Sequence, residues 1–236
     1  MVDTPDTPNP TPEQTPLFCA RLTAVTREGA HLGLALNDIL IAINGVPFAH
    51  EKKDLPYHLT HLVRGRAALT FRRDNDDFTV IATTPALGAW DPEPAMQSVV
   101  KKRIAAAALT NWEIYTCDDG TYDLQAMSPS LLALIAAPLW LAQARLWIPL
   151  ATISSVTIIT SPFGFFMASA VYGLASVYVW RMSQTLFRAD RESKGYERSL
   201  VMAAPSETAV HDYLHKWRPE LDYVYSIKAA KLEAGE

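Results

Sequence analysis

The chain has 236 residues, of which 49% are hydrophobic and 19% charged, and its formal net charge is −4. These averages are typical of a folded protein of one or two domains, and they exclude a collagen-like repeat or a disordered polyelectrolyte. The acidic balance predicts no binding of nucleic acid, which needs a basic face. Two cysteines, Cys19 and Cys117, are too few for a disulfide scaffold.

The charges are unevenly distributed along the chain. From Leu131 to Trp180 the sequence contains no Asp, Glu, Lys or His and a single arginine, Arg145. The averages therefore combine two unlike parts, a polar N-terminal part and an apolar C-terminal part.

Residues 1–16 contain five prolines and no apolar run. Such a segment cannot bury enough apolar surface to offset the entropy of ordering, so we expect a disordered tail. It also lacks the basic start and the apolar stretch of a signal peptide.

Residues 17–84 carry the signals of a small, mostly β domain. An apolar run at 18–25 predicts the first strand, and Asn44-Gly45 predicts a tight hairpin because both residues accept positive φ. A short helix is expected from Asp54 to about Val63. A second strand pair is expected around the polar turn at 74–77.

This region resembles a bacterial PDZ domain. The most specific string is DILIAING, which begins at Asp38, although Asn37 stands where that family usually has glycine. Asparagine tolerates left-handed backbone geometry, so the departure is mild. The other matching residues are Gly29-Ala30, Leu32-Gly33-Leu34, Asp54-Leu55, Arg64-Gly65 and Leu69–Arg73.

The PDZ resemblance implies capture of an extended peptide by strand addition beside a helix. The segment that would pair with the peptide, and the helix positions that would face it, are Leu17, Phe18, Cys19, Ala20, Arg21, Leu22, His58 and Leu62. In the PDZ resemblance, the loop before this strand would hold the terminal carboxylate of the peptide, and here it has no glycine. A purely structural domain with a vestigial groove is therefore the alternative.

Residues 85–128 are predicted to connect the two parts. The segment LGAWDPEP reads as a turn, and a helix is expected over 96–109. The Asp-Gly pair at 119–120 predicts a hairpin between two further short strands.

The apolar part, 129–184, predicts an interfacial helix near 131–145 followed by two membrane spans near 146–160 and 163–182. A single first span over 131–153 is the alternative. The residues expected at the membrane interface, where aromatic rings and snorkelling arginines are favoured, are Trp140, Arg145, Trp147, Trp180 and Arg181. This part also resembles a family of unknown function found in small bacterial membrane proteins, through Trp112, the Trp-Arg-Trp cluster and Lys194-Gly195-Tyr196.

The last segment, 185–236, is charged, with a helix expected over Ser206–Trp217. Arginines follow the second predicted span, so the positive-inside rule predicts a multi-pass protein of the bacterial inner membrane with both termini in the cytoplasm.

No catalytic motif is present, and no metal or cofactor is expected. His211 and His215 lack a third ligand, and the same holds for His58 and His61. We expect an α+β protein in which a PDZ-like domain precedes an α-helical membrane hairpin. The expected function is a membrane-anchored adaptor, with a protein or peptide partner and the lipid bilayer as its contacts. The alternatives are an accessory subunit of a membrane complex and a non-catalytic cofactor of a membrane protease.

Overall fold

The computed structural model describes residues 16–63, 65–95, 103–128 and 130–226. Residues 1–15 of the predicted tail and residues 96–102 of the helix predicted over 96–109 lie outside these residues. The described end of that predicted helix holds only a 3-10 turn at Ala106–Ala108. The chain divides into two units, Met1–Ala107 and Ala108–Glu236. This boundary falls inside the predicted connecting region. The α+β class is confirmed, because each unit holds a β-sheet and helices.

The first unit is built on one sheet with the strand order β5-β4-β2-β1-β6, and β3 pairs with β2. Two short helices, α1 and α2, lie between the strands. The element bounds are β1 Phe18–Val25, α1 Arg27–His31, β2 Ile39–Ile43, β3 Val46–Pro47, α2 Leu55–Thr60, β4 Ala67–Arg73, β5 Asp76–Ala82 and β6 Gly88–Pro94.

The predicted hairpins of this unit are confirmed. Asn44 and Gly45 have φ angles of 51° and 76° and connect β2 to β3, as expected for a two-residue turn with both residues left-handed. Asp74, at φ 55°, turns β4 into β5. Helix α2 ends at Thr60, three residues before the predicted end.

The segment predicted as a turn, LGAWDPEP, is instead largely a strand. Strand β6 pairs antiparallel with β1 from Val25↔Gly88 to Phe18↔Pro94. Prolines disfavour a strand only where their missing N–H is needed by a neighbour. The partner strand lies more than sixty residues earlier in the chain, so local sequence does not reveal it.

The second unit is built on a sheet with the order β10-β8-β7-β9 and on five helices among the described residues. Its hairpin β7–β8 and the helix over 206–217 were predicted and are confirmed, whereas β9 was not predicted. The bounds are β7 Thr110–Thr116, β8 Thr121–Ala126, α3 Leu131–Ile135, α4 Ala137–Gln143, α5 Trp147–Thr160, α6 Phe165–Ser193, β9 Glu197–Ala204, α7 Glu207–Trp217 and β10 Asp222–Tyr223.

Helices α5 and α6 form a hairpin through a 3-10 turn at Ser161–Phe163 and Gly164, whose φ is 102°. A buried apolar cluster joins α6 to the two helices before the hairpin. Its members are Ala133, Ala137, Trp140, Leu141, Leu146 and Val179.

The prediction that this hairpin spans a membrane is wrong. Helix α5 is apolar but has 14 residues, about 21 Å at 1.5 Å per residue, and a hydrocarbon core is about 30 Å thick. Helix α6 has 29 residues, but its apolar first half passes into a charged second half. Across the described residues, no helix combines the length and the apolar character needed to cross a bilayer. The predicted multi-pass inner-membrane localisation with cytoplasmic termini is therefore contradicted.

Candidate functional site

Strand β1, which carries most of the predicted peptide-binding residues, is paired on both edges. The Leu22 N–H donates to the Asp38 carbonyl at 2.9 Å on one edge, and β6 covers the other edge along its whole length. An added peptide would have to displace β6 from this strand. Peptide binding at β1 stays a prediction, and the end of the sheet on this side is formed by β6.

Most of the predicted residues on β1 contribute to the core. Cys19, Ala20 and Leu22 are buried, and the Cys19 thiol donates to the Phe48 carbonyl at 3.2 Å. Leu17 precedes β1 and is half exposed. The side chain of Arg21 on β1 contacts Glu93 on β6, with Arg21 Nε 3.5 Å from Glu93 Oε2. The buried side chains thus belong to the core of the first unit, and Arg21 links β1 to β6.

The structure brings Phe18 and His58 together through a third residue, His50. Phe18 and His50 exchange two backbone hydrogen bonds of 2.8 and 3.0 Å. The imidazole rings of His50 and His58 stack with their centroids 3.6 Å apart. Leu62, the other predicted helix position, is buried beyond the end of α2. The His50–His58 stack was not predicted, since the two residues are eight apart and on different elements.

The ring stack affects the protonation of His50. Burial lowers the pKa of His50, the nearby charge of His58 lowers it further, and Asp54 partly offsets both effects. Burial disfavours the charged imidazole, and two stacked cations would repel each other. The neutral form of His50 is therefore favoured in the folded protein.

A bidentate ion pair fixes the turn before β2. The Asp38 carboxylate is fully buried and accepts two hydrogen bonds of 2.7 Å from Arg73, together with one of 2.8 Å from the Ala35 N–H. Arg73 also donates to the Gly33 carbonyl at 2.9 Å. Asn37, which the sequence analysis expected to tolerate left-handed geometry, has φ 70°. The pair thus holds the segment from Gly33 to Asp38 in place.

The backbone hydrogen bonds of β6 show which of its residues face β1. The Ala95 N–H donates to the Leu17 carbonyl at 2.9 Å, and the Leu87 carbonyl accepts from the Thr26 N–H at 3.0 Å. Backbone groups of successive strand residues point to opposite edges. Odd-numbered residues of β6 therefore face β1, and even-numbered residues face outward.

The outward-facing residues of β6 are Gly88, Trp90, Pro92 and Pro94. Gly88 and Trp90 each present an N–H and a carbonyl, whereas the two prolines present carbonyls only. The outer edge of β6 is the end of the sheet, and among the described residues no strand pairs with it. Half of this edge can therefore form a full hydrogen-bonding ladder.

The residues predicted at a membrane interface lie in different environments of the second unit. Trp140 is buried in the apolar cluster, whereas Trp147 and Arg181 are exposed and Trp180 is half-buried. Arg145 follows α4 with φ 58°, and its guanidinium lies 3.8 Å above the ring of Tyr225. This stacking was not predicted, because Tyr225 is eighty residues away.

Two buried carboxylates link the sheet of the second unit to α6. Glu113 on β7 is paired with Arg188 and Arg198 and accepts from the Tyr115 hydroxyl at 2.7 Å. Burial alone would raise the pKa of Glu113, but these partners outweigh it and hold the pKa below its usual range. Asp123 on β8 lies 2.6 Å from Arg191 Nε. Burial raises the pKa of Asp123, and the charge of Arg191 only partly offsets this effect. Both carboxylates therefore have arginine partners but opposite pKa shifts.

The histidines of α7 are not arranged around a metal. His211 Nδ1 is 2.6 Å from the Tyr122 hydroxyl, and His211 Nε2 is 3.5 Å from Glu207. Across the described residues, no three His, Cys, Asp or Glu side chains come together as metal ligands.

Neither comparison with known proteins identifies a family. No protein-family model matches the chain, and no curated protein is significantly similar to it.

Proposed function

We propose that the first unit binds an extended peptide at the outer edge of β6, and that the protein acts as a non-enzymatic adaptor. The sequence resemblance to PDZ domains is the premise of this proposal. The observation that carries it is the position of β6, which ends the sheet with an outer edge that no described strand occupies.

The hydrogen-bonding groups on this edge favour pairing over a short segment. Gly88 and Trp90 supply two donors and two acceptors, and Pro92 and Pro94 supply acceptors only. An extended peptide would pair fully with the first half of β6 and incompletely with the second half. Main-chain pairing of this kind gives affinity with little sequence preference, and neighbouring side chains select the peptide.

The two prolines also limit unwanted pairing. A fully hydrogen-bonding edge is a template for pairing between sheets of different molecules, and prolines are a common way to prevent it. Strand β6 therefore combines a short open segment with a protected one, which suits a weak and reversible peptide binder better than a permanent strand partner.

The experiment uses the full chain and a library of extended peptides with random C-terminal sequences. When the tightest-binding peptide is added, amide hydrogen exchange of the protein should slow at Gly88 and Trp90, the two outward-facing donors of β6. The double substitution Pro92→Ala and Pro94→Ala adds two outward N–H groups without changing the bonds to β1. Each added hydrogen bond should strengthen binding by about 2- to 10-fold.

Strand β5, at the opposite end of the sheet, is the internal control. Its amides should exchange at the same rate with and without peptide. Protection on β5 instead of β6, or an affinity unaffected by the two proline substitutions, would contradict the proposed edge. The absence of any binder at millimolar peptide would contradict peptide capture altogether.

A second candidate is a stable subunit of a larger assembly, and the surface of the α5–α6 hairpin favours it. Large apolar side chains near its turn are mostly exposed: Ile158, Ile159, Phe163, Phe165 and Phe166. Contiguous apolar surface of this kind usually marks a contact with another molecule. The predicted contact with a lipid bilayer would use the same surface and stays a prediction.

Purification without harsh detergent distinguishes the two candidates. A stable subunit should be recovered with its partner in fixed stoichiometry. An adaptor should be recovered alone, and its peptide partners should be captured only by crosslinking. In the second case, substitutions on β6 should abolish the crosslinks and substitutions at Phe165 and Phe166 should not.

A further inference from the structure

The second unit contains a cavity of about 520 Å³ that neither the peptide edge nor the apolar hairpin uses. It is bordered by the end of α4, by β8, by α6 and by the residues after β10. Its lining is mainly polar and includes Ser130, Gln143, Arg145, Arg191 and Tyr225. A polar cavity of this size can hold a small molecule.

Arg145 stands at the cavity in a backbone conformation that is unfavourable for it. Its φ is 58°, and the Leu146 N–H donates to the Leu141 carbonyl at 2.9 Å. This arrangement ends α4 in the way that normally places glycine at the left-handed position. An arginine there is strained, and such strain is concentrated at functional sites.

The side chain of Arg145 is held flat but not neutralised. Its guanidinium stacks 3.8 Å from the centre of the Tyr225 ring. Stacking uses the face of the guanidinium and leaves the N–H groups at its edge available. Among the described residues, no carboxylate lies within ion-pair distance of Arg145, which is exposed.

The other charged groups around the cavity have partners. Arg191 is buried, lies 2.6 Å from Asp123 and 2.8 Å from Asp190, and donates to the Tyr225 hydroxyl at 3.1 Å. Glu207 accepts from the Tyr223 hydroxyl at 3.2 Å. Arg145 is thus a charged group of the lining with no ion-pair partner among the described residues, and Ser130, which makes no capping bond to α3, lies on the same lining.

We propose that this cavity binds the oxyanion group of a small molecule, a carboxylate or a phosphate, and that Arg145 is its principal ligand. The guanidinium offers parallel N–H donors that match either oxyanion. Tyr225 orients Arg145, and Arg191 in turn holds the Tyr225 hydroxyl. Gln143 and Ser130 supply neutral hydrogen-bonding groups on the same lining.

The test titrates the full chain with inorganic phosphate and, separately, with succinate, each against sodium chloride at equal ionic strength. Trp112 and Trp140 also line the cavity, so their fluorescence reports on binding. Binding of one anion and not the other identifies the oxyanion chemistry. Saturation with either, and none with chloride, is the expected result.

Arg145→Gly is the informative variant, because glycine is the favoured residue at this backbone position. It should fold at least as stably as the natural chain and bind the anion at least tenfold more weakly. Arg181→Gln removes the same charge from an exposed position that does not line the cavity, and its affinity should be unchanged. Arg145→Lys keeps the charge but not the paired donors, and should bind at intermediate strength.

Three results would overturn the proposal. The first is equal anion binding by Arg145→Gly and the natural chain. The second is an equal loss of binding in Arg181→Gln, which would indicate general electrostatic attraction. The third is the absence of saturable binding of both anions up to tens of millimolar.

Discussion

At the residue scale, the imidazole rings of His50 and His58 stack near the start of β1. Burial and the neighbouring His58 lower the pKa of His50. The unfolded chain binds a proton at His50 near the ordinary value of about 6.5. A depressed folded pKa contributes stability that is present above this value and is lost as pH falls through the folded pKa.

We therefore expect the free energy of unfolding of the first unit to fall as the pH is lowered through about 6.5, the ordinary pKa of histidine. Urea denaturation at a series of pH values measures this slope. His58→Gln removes the neighbouring positive charge, so the slope should become shallower in this variant. Parallel profiles for the two proteins would show that the His50–His58 contact does not carry the effect.

Arg145 shows why some single-residue roles escape sequence reasoning. Its position in an uncharged stretch suggested the entry of the chain into a bilayer. The structure instead places it after α4 with φ 58°, stacked on Tyr225. Local patterns predicted the left-handed Asn44-Gly45 because those residue types favour that geometry. An arginine carries no such signal, and its aromatic partner lies in a distant part of the chain.

At the element scale, the fit of β6 against β1 depends on a single small residue. A Cβ added to Gly88 would lie 2.0 Å from the Ala24 carbonyl oxygen and 2.6 Å from Leu22 Cδ2. The first neighbour is backbone and the second is a buried side chain, so neither can move easily. Strand β6 would have to shift away from β1.

Gly88→Ala should therefore destabilise the first unit by about 1–3 kcal/mol, the usual range for overpacking. Urea denaturation followed by circular dichroism measures the change, and exchange of the Ala95 amide should accelerate. Gly173→Ala is the matched control, because nothing lies within 4 Å of the added Cβ on α6. It should stabilise the second unit by about 0.5–1 kcal/mol. Equal effects of the two substitutions would show that β6 is not tightly seated.

Elements whose ends carry local signals were predicted well. Ser206 caps α7 by accepting from the Ala209 N–H, and two-residue turns connect β2 to β3 and β4 to β5. Strand β6 was missed because it contains prolines, which usually argue against a strand. Here Pro92 and Pro94 face the outer edge, where β1 needs no N–H from them, and local sequence does not show this orientation. Helices α5 and α6 were located approximately, but the prediction that they span a membrane was wrong. Apolar composition does not show where a helix ends, and α5 ends after 14 residues whereas α6 continues into a charged half.

At the scale of the whole molecule, the two units each have a sheet and a buried core of their own. The division near residue 107 lies within a region that the sequence analysis treated as one connector. Its first part supplies β6 to the first unit, and its last part supplies β7 and β8 to the second. Composition alone could not separate them, because short strands on either side look alike.

A fragment covering residues 16–107 should consequently fold by itself, because a unit with its own core is usually independently stable. Cooperative thermal unfolding and dispersed amide resonances would demonstrate this. A fragment that ends at residue 84, the boundary suggested by sequence, lacks β6 and should be markedly less stable. Identical stability of the two fragments would contradict the role of β6 in the core.

The pairing of β1 with β6 also sets the order in which the first unit can assemble. The ladder joins residues 63 to 76 positions apart, from Val25↔Gly88 to Phe18↔Pro94, and such distant contacts slow folding because a long loop must close first. During synthesis, β1 emerges from the ribosome long before Pro94. Until then its outer edge has no partner within the chain, and the nascent protein displays the backbone groups that β6 later covers. The completion of this unit is thus timed by the arrival of its last strand.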